Sequence, residues 1–407
     1  MDQQWVETML GKLSQIGRGP QGVSRLAYSD ADMNAKEFMV RIMRESGLTV
    51  RIDSIGNIIG RLDGVSPDAS IVITGSHLDT VPDGGNYDGA VGIVGGLAAI
   101  KRLQALGPLN HPIELIIFAA SESSRFGLMM LGSKSMAGMA SRHTWSKAKD
   151  SSGISLPDVL QAKGFSLQEL DKVSRVKENI KAFVELHIEQ GTVLGKAKKQ
   201  IGIIETVAAP TLIKVTINGE AGHTGAIPME DRHDALVSAA TIVLAVQSIA
   251  LEQSHSGTAA TVGKLITTPG TISVIPSQVE LWIDLRGVDQ ENIIETIQEI
   301  KDAVSTIADE QETLVAIDML FSEKPVQMDS YVTRMIETAC IDANVSYKRM
   351  NSGGGHDAMN MAHLAPAGII FIPCKDGISH SPREFAEPAD IMKGIDILTK
   401  TLYELAK

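Results

Sequence analysis

The feature that most constrains this 407-residue chain is a change of hydrophobic period partway along it. Two short apolar runs, Ser70-Ile-Val-Ile-Thr74 and Ile113-Glu-Leu-Ile-Ile-Phe118, flank a helical stretch from Gly89 to Leu106 that Gly107 stops. Runs without alternation indicate strands covered on both faces, as in the parallel sheet of an α/β layer. Trp5 to Ile16 and Asp30 to Glu45 have helical spacing, the second with Gly47 as its stop, and Ile180 to Ile188 is a further strand candidate. The middle of the chain differs. Leu212-Ile-Lys-Val-Thr-Ile217 and Val279-Glu-Leu-Trp-Ile-Asp-Leu285 alternate, the mark of half-exposed antiparallel strands, with helical stretches at Arg232–Glu252 and Asp289–Glu310 between and after them. Beyond about residue 325 the first pattern resumes, with Gly368-Ile-Ile-Phe-Ile-Pro373 as a strand and Ala389 to Ala406 as a closing helix. We therefore read an α/β main domain in two parts, residues 1–210 and 326–407, with a small α+β sandwich at 211–325.

Composition narrows the classes of partner. The chain is 43% hydrophobic, enough to bury the cores of two domains, and its net charge is −12 with no long basic run. That balance argues against nucleic acid and against an anionic membrane. MDQQWVETML has no basic leader region, and no apolar stretch of about 18 residues is read as a membrane span. Cys340 and Cys374 read as two free buried thiols, which suits a cytoplasmic location.

The chemistry-bearing residues follow the strand candidates. Gly75-Ser-His77-Leu-Asp79-Thr-Val-Pro comes after the first, with Asn86-Tyr-Asp88-Gly-Ala opening the next helix. Ala119-Ala-Ser121-Glu122-Ser-Ser-Arg125-Phe comes after the second. Phe183-Val-Glu-Leu-His187-Ile-Glu189-Gln190-Gly puts a histidine with carboxylates beside it on a third, and Gly377-Ile-Ser-His380-Ser-Pro follows the last. Active-site loops of open α/β sheets gather at strand ends of this kind. Each segment alone is more often structural than functional. Together they offer His, Asp, Glu, His and His, a donor set that suits zinc. One carboxylate shared between two metals about 3.5–4 Å apart is the usual design of two-metal hydrolases.

These segments resemble the M20 metallopeptidase clan, and more closely its hydantoinase/carbamoylase branch, which holds allantoate amidohydrolase, N-carbamoyl-L-amino-acid hydrolase and β-ureidopropionase. The likeness also runs through Gly22-Val-Ser-Arg25-Leu, Gly56-Asn57, GSK at Gly132, GEAGHTGAIPM, RHDAL, IDLRG and GGGHDA. It implies a zinc-exopeptidase-like catalytic domain with an inserted α+β sandwich that serves as lid and dimerisation domain. It further implies that His77, Asp88 and His187 hold one divalent metal, and that Asp88, Glu122 and His380 hold the other. Zinc is the expected metal, with manganese or cobalt as alternatives. Asp79 would orient His77. His223, from the partner subunit's lid, would stabilise the oxyanion, a contribution often worth about 3 kcal/mol. Arg286 would clamp a substrate carboxylate with its bidentate fork. Gln190, His356 and the Gly354-Gly355 backbone match substrate-contacting positions. The resemblance thus implies a homodimer acting on a small-molecule carboxylate.

The chain departs from the family pattern in three places. Anchored on Ser124-Arg125-Phe126, Glu122 takes the metal-ligand position and Ser121 takes that of the general base. Loss of such a base typically costs about 10²–10⁴ in rate, although a metal still lowers the pKa of its water toward about 7. The chain is then a weakened hydrolase, or one that uses another base such as Asp79 or a substrate carboxylate, or one that runs altered chemistry in an inherited site. Ser273 stands where the family has an asparagine beside the V-I-P turn, and Thr224 with Ala226-Ile227 changes the lid sequence. The function expected is cleavage of the amide or ureido bond of an N-carbamoyl or N-acyl amino acid or an allantoate-like carboxylate. The alternative from another class is a non-catalytic binder of such a compound. Ser121 favours the binder, and retention of His223 argues against it, since binding alone needs no oxyanion donor.

Overall fold

The computed structural model describes residues 2–66 and 68–407. Its strands are β1 (Thr49–Ile52), β2 (Ile58–Leu62), β3 (Ile71–His77), β4 (Ile113–Phe118), β5 (Ile180–Ile188), β6 (Ile201–Val207), β7 (Ala209–Asn218), β8 (Ala259–Thr268), β9 (Gln278–Gly287), β10 (Leu314–Ser322), β11 (Val326–Gln327), β12 (Tyr347–Ser352) and β13 (Ala367–Ile372). The chain forms two compact units. One comprises the residues up to Glu205 with Met328–Met350 and His356–Lys407; the other comprises Thr206–Gln327 with Asn351–Gly355.

In the first unit the strands run in the order β1-β2-β4-β3-β5-β13-β6. The central four, β4, β3, β5 and β13, are parallel to one another, and the pairings with and beyond the flanking strands are antiparallel. Every residue of β4 and β13 is buried, as is nearly every residue of β3 and β5, which is why these segments read as unbroken apolar runs. The helix Ala90–Leu106 packs on the sheet beside the closing helix Pro388–Ala406, which also covers β5 and β13, and the first eleven residues of Ala90–Leu106 are all buried. Register sets His77 opposite Phe118 and His187 opposite Phe371, so the four parallel strands release their following loops along one edge of the sheet.

A buried ion pair braces this unit. Ser29 caps the helix Asp30–Glu45 by accepting the Asp32 N–H. One Asp32 oxygen accepts from the Tyr28 N–H at 2.8 Å and from Lys36 Nζ at 2.9 Å, with both side chains withdrawn from solvent. Breaking a buried pair by removing one partner leaves an uncompensated charge, at a cost of about 3–5 kcal/mol. Lys36→Met is expected to destabilise the protein by that amount in guanidinium denaturation. The double variant Asp32→Asn/Lys36→Met should recover part of the loss.

The second unit is a two-layer α+β sandwich. Its antiparallel sheet runs β10-β7-β9-β8. Alternate residues of β7 and β9 are buried, which is the period of two seen in the sequence. Ile213, Val215, Ile217, Val279, Leu281 and Ile283 meet Ile242, Val246, Ile297 and Ile300 of two covering helices. The first of these is Ala235–Glu252, which starts three residues later than its spacing predicts. Pro228 leads into a short 3₁₀ turn at Met229–Asp231, and the Asp234 side chain then caps the helix by accepting the Leu236 and Val237 N–H groups.

The expectation that no segment is long and apolar enough to cross a membrane is corrected by this helix. By length and composition Ala235–Ser256 passes that test, with a mean hydropathy of 1.8. Its burial pattern gives a different reason for the apolarity. Ala235, Ala239, Ile242 and Val246 face the sheet, while Leu236, Val237, Leu244 and Leu251 are exposed.

Candidate metal centre

The loops at the carboxyl edge of the parallel strands converge on Asp88. Its Oδ1 lies 3.1 Å from His187 Nε2 and 3.6 Å from His77 Nε2. Its Oδ2 lies 3.0 Å from His380 Nε2, which is itself 3.2 Å from Glu122 Oε1. Two groups able to hold a cation result, His77–Asp88–His187 and Asp88–Glu122–His380, each with its donor atoms within 4.8 Å of one another. The first group is buried, Glu122 is half-buried, and the His380 side chain is 47% exposed, so the second group opens toward solvent.

Main-chain contacts fix the imidazoles. His77 Nδ1 meets the Asp79 carbonyl at 2.9 Å, and His187 Nδ1 meets the Ile188 carbonyl at 2.9 Å. A carbonyl only accepts, so Nδ1 carries a proton in both rings, and the Nε2 atoms face Asp88. The Gly89 N–H donates to His187 Nε2 at 3.3 Å. Gly89 has φ +64°, and a Cβ there would fall 2.5 Å from the His77 carbonyl oxygen and 2.7 Å from its ring, so only glycine fits.

The carboxylates around the centre do different work. The Asp79 carboxylate, 3.9 Å from His77, accepts the Ser121 and Glu122 N–H groups at 3.2 and 2.9 Å, so it pins the segment that carries Glu122. Glu384 holds the turn that carries Asp88. Its Oε1 accepts the Tyr87 and Asp88 N–H groups at 2.8 and 3.0 Å, and its Oε2 accepts the Ser379 hydroxyl at 2.7 Å. A Cβ at Gly85 would lie 2.2 Å from the Glu384 carboxyl, so the close approach also needs glycine there. Gln190 Nε2 reaches Ser379 Oγ at 3.2 Å and His380 Nε2 at 3.3 Å. Ala120, Gln190 and His380 all have positive φ, a clustering of backbone strain common at functional loops.

The electrostatics fit a cation. Burial raises the Asp88 pKa, but the hydrogen bonds of His187, His380 and His77 override it and hold the carboxyl well below the usual range. The same contacts from Asp88 and Glu122 raise His380 to about 10. Burial lifts Asp79 to about 7 against the pull of His77. Asp88 Oδ1 is buried, with the Nε2 atoms of His187 and His77 at 3.1 and 3.6 Å. A divalent ion satisfies such an oxygen, and the N/O donor set matches zinc.

Of the other expected site residues, some adjoin the centre and some belong to the second unit. His356 is buried with its ring 4.6 Å from that of His187, and burial with the neighbouring His187 pushes its pKa well down, so it is neutral. It also falls within a third possible donor group with Glu185 and His187, but Glu185 is engaged by Ser76 Oγ and the Ala358 N–H. Ser121 Oγ donates to Asp357 Oδ2 at 2.5 Å. His223, Ser273, Arg286, Gly354 and Gly355 belong to the second unit. There His223 bridges Val274, and its Nδ1 accepts the Gly225 N–H. Arg286 pairs with Asp284 at 3.1 Å and donates to the Gly353 carbonyl at 3.3 Å. Glu384, Asp357 and Glu185 were missed from sequence. Glu384 follows His380 by four positions and Asp357 adjoins His356, so an acid beside a named residue was the available signal.

A single carboxylate between two imidazole-containing groups, set at the carboxyl edge of a parallel sheet, is a donor arrangement that metal-dependent hydrolases use. The model of the peptidase family M20/M25/M40 matches residues 73–404, and the chain belongs to that family. It is similar to the ureidoglycolate hydrolase of Arabidopsis thaliana, 36% identical over 414 residues that cover 100% of this chain and 87% of the relative. It is also similar to the N-carbamoyl-L-amino acid amidohydrolase of Geobacillus stearothermophilus, 36% identical over 401 residues, 98% of this chain and 97% of the relative. A solved structure described as AtUAH in complex with (S)-hydroxyglycine superposes with a TM-score of 0.90 at 35% identity, covering 100% of this chain and 98% of that one.

Partners that orient metal ligands typically matter by 10–100-fold in metal affinity, roughly speaking. Glu384→Ala is expected to weaken zinc binding by about that factor in a competitive chelator titration, while far-ultraviolet circular dichroism stays unchanged.

Proposed function

We propose that this chain is a two-metal amidohydrolase that cleaves the amide or ureido bond of a small carboxylate. The substrate class is an N-carbamoyl or N-acyl amino acid, or an allantoate- or ureidoglycolate-like compound. The observation that carries this reading is Asp88, whose two oxygens face two separate imidazole groups. His77, Asp88 and His187 would hold one ion, and Asp88, Glu122 and His380 the other. The ions, zinc with manganese or cobalt as alternatives, supply Lewis-acid polarisation of the substrate carbonyl and acidify a water.

The protein's own groups do the rest. The locked tautomers of His77 and His187 keep their Nε2 atoms aimed at the centre. Arg286 gives Asp284 its Nε and one Nη2 hydrogen and keeps further hydrogens on its terminal nitrogens for a substrate carboxylate. Ser273 and the Gly354-Gly355 backbone lie in the same unit and would line that end of the substrate. Gln190 and His356 would also contact the substrate. His223 would donate to the developing oxyanion in the site of a second copy. The exposed leucines of Ala235–Glu252 support a homodimer paired through the second unit, which then acts as lid and dimerisation domain. The two thiols, free and buried, are in keeping with a cytoplasmic protein.

Purified protein is expected to release product from at least one member of a panel of N-carbamoyl amino acids, allantoate and ureidoglycolate when supplied with Zn²⁺, Mn²⁺ or Co²⁺. Dialysis against a chelator should abolish that turnover, and metal should restore it. Tight ligand binding with no product under any metal would instead make the chain a binder.

Sharing of the site between copies has its own test. His223→Ala is expected to lower kcat by about 10²–10³, and Glu122→Gln to be inactive. Mixing the two variants after reversible dissociation should regain activity, because one site of each mixed dimer is intact. No recovery in verified mixed dimers would assign His223 to its own subunit.

A further inference from the structure

Ser121 occupies the expected position of a general base, and its surroundings supply what the serine lacks. The Ser121 hydroxyl donates to Asp357 Oδ2 at 2.5 Å. Asp357 is buried, and its other oxygen accepts the Ser133 hydroxyl at 2.5 Å. Asn360 Nδ2 donates to Ser133 Oγ at 2.9 Å, which commits the Ser133 proton to Asp357. The carboxylate is thereby held in place from one side, with Ser121 as its contact on the other. Ser121 itself is fixed, since its N–H and that of Glu122 both bind Asp79. With its own proton directed at Asp357, the Ser121 oxygen presents lone pairs beside the residue assigned to the second metal group.

We propose that Asp357 is the proton acceptor of this site and that Ser121 relays the proton to it, a role that rests on the hydrolase function proposed above. As the attacking water bonds to the substrate carbon, one of its protons passes to Ser121 Oγ, and the Ser121 hydroxyl proton passes to Asp357. When the carbon–nitrogen bond breaks, the same two transfers run in reverse. The proton reaches the leaving nitrogen, and Asp357 is again a carboxylate. No oxidant or further reactant enters, and both residues end as they began.

The test uses the full-length, zinc-loaded protein and whichever ureido or carbamoyl carboxylate the wild type turns over. Ser121→Ala and Asp357→Asn should each lower kcat by about 10²-fold or more and leave KM, zinc content and the affinity for glyoxylate by calorimetry unchanged. Ser121→Glu placed in the Asp357→Asn background should restore kcat to within about tenfold of wild type, because the base then sits at position 121. Ser121→Ala also covers the case in which Asp357→Asn fails to fold, since it leaves the buried carboxylate in place. Turnover within twofold of wild type in Ser121→Ala or in a folded Asp357→Asn overturns the relay and leaves the hydrolase function standing. Loss of zinc or glyoxylate binding in parallel with kcat in both variants makes the pair structural and also overturns it. A wild type that turns over nothing with any metal removes the hydrolase function, and the relay with it.

Discussion

The Asp88 carboxylate is the interaction on which the rest of the first unit depends. It is buried among three imidazoles, and Oδ1 and Oδ2 look in different directions. Burying a charge is costly unless it is compensated, so everything near Asp88 serves to keep that compensation in register. Carbonyls fix two ring tautomers, Gly89 lets the turn pass against His77, and Glu384 takes the main-chain N–H groups of the turn. Asp79 does the equivalent for Glu122. The site is therefore built in two layers, donors around a shared oxygen pair and a second ring of carboxylates that hold the donors' backbones.

The sheet makes such an arrangement economical in chain length. Four parallel strands end at one edge, so residues as distant in sequence as His77 and His380 need only short loops to meet. The same buried strands leave little conformational freedom in the loops' starting points. Left-handed conformations at Ala120, Gln190 and His380 then turn the chain sharply back over the edge.

Much of this was legible in the sequence, for identifiable reasons. The strand at Ile113–Phe118 has the bounds its apolar run suggested, because full burial leaves no polar residue to blur the ends. His77, Asp88, Glu122, His187 and His380 could be named because imidazole beside carboxylate at a strand mouth is a local pattern. Glu384 and Asp357 could not be named on that basis. Their partners lie 297 and 236 positions away, and no local period records such a pairing. Asp79 illustrates a subtler limit: an H-x-D spacing suggests a carboxylate on an imidazole, whereas the carbonyl makes the shorter contact and the carboxylate serves two amides. The helix Ala235–Glu252 was read by its period alone, and its apolar outer face became visible only once the sheet had claimed the inner one.

The Glu384 contact with the Asp88 turn also orders events in time. Synthesis proceeds from the amino terminus, and domains generally fold as units during it. The Tyr87 and Asp88 amides, however, wait for a side chain that follows Tyr87 by 297 residues, and β13, the centre's fourth strand, is also made late. A nascent chain made only as far as β13 has His77 and Asp88 but neither the Glu384 clasp nor His380. Assembly of the full donor set around Asp88 is thus a late step, one that follows synthesis of the loop carrying His380 and Glu384.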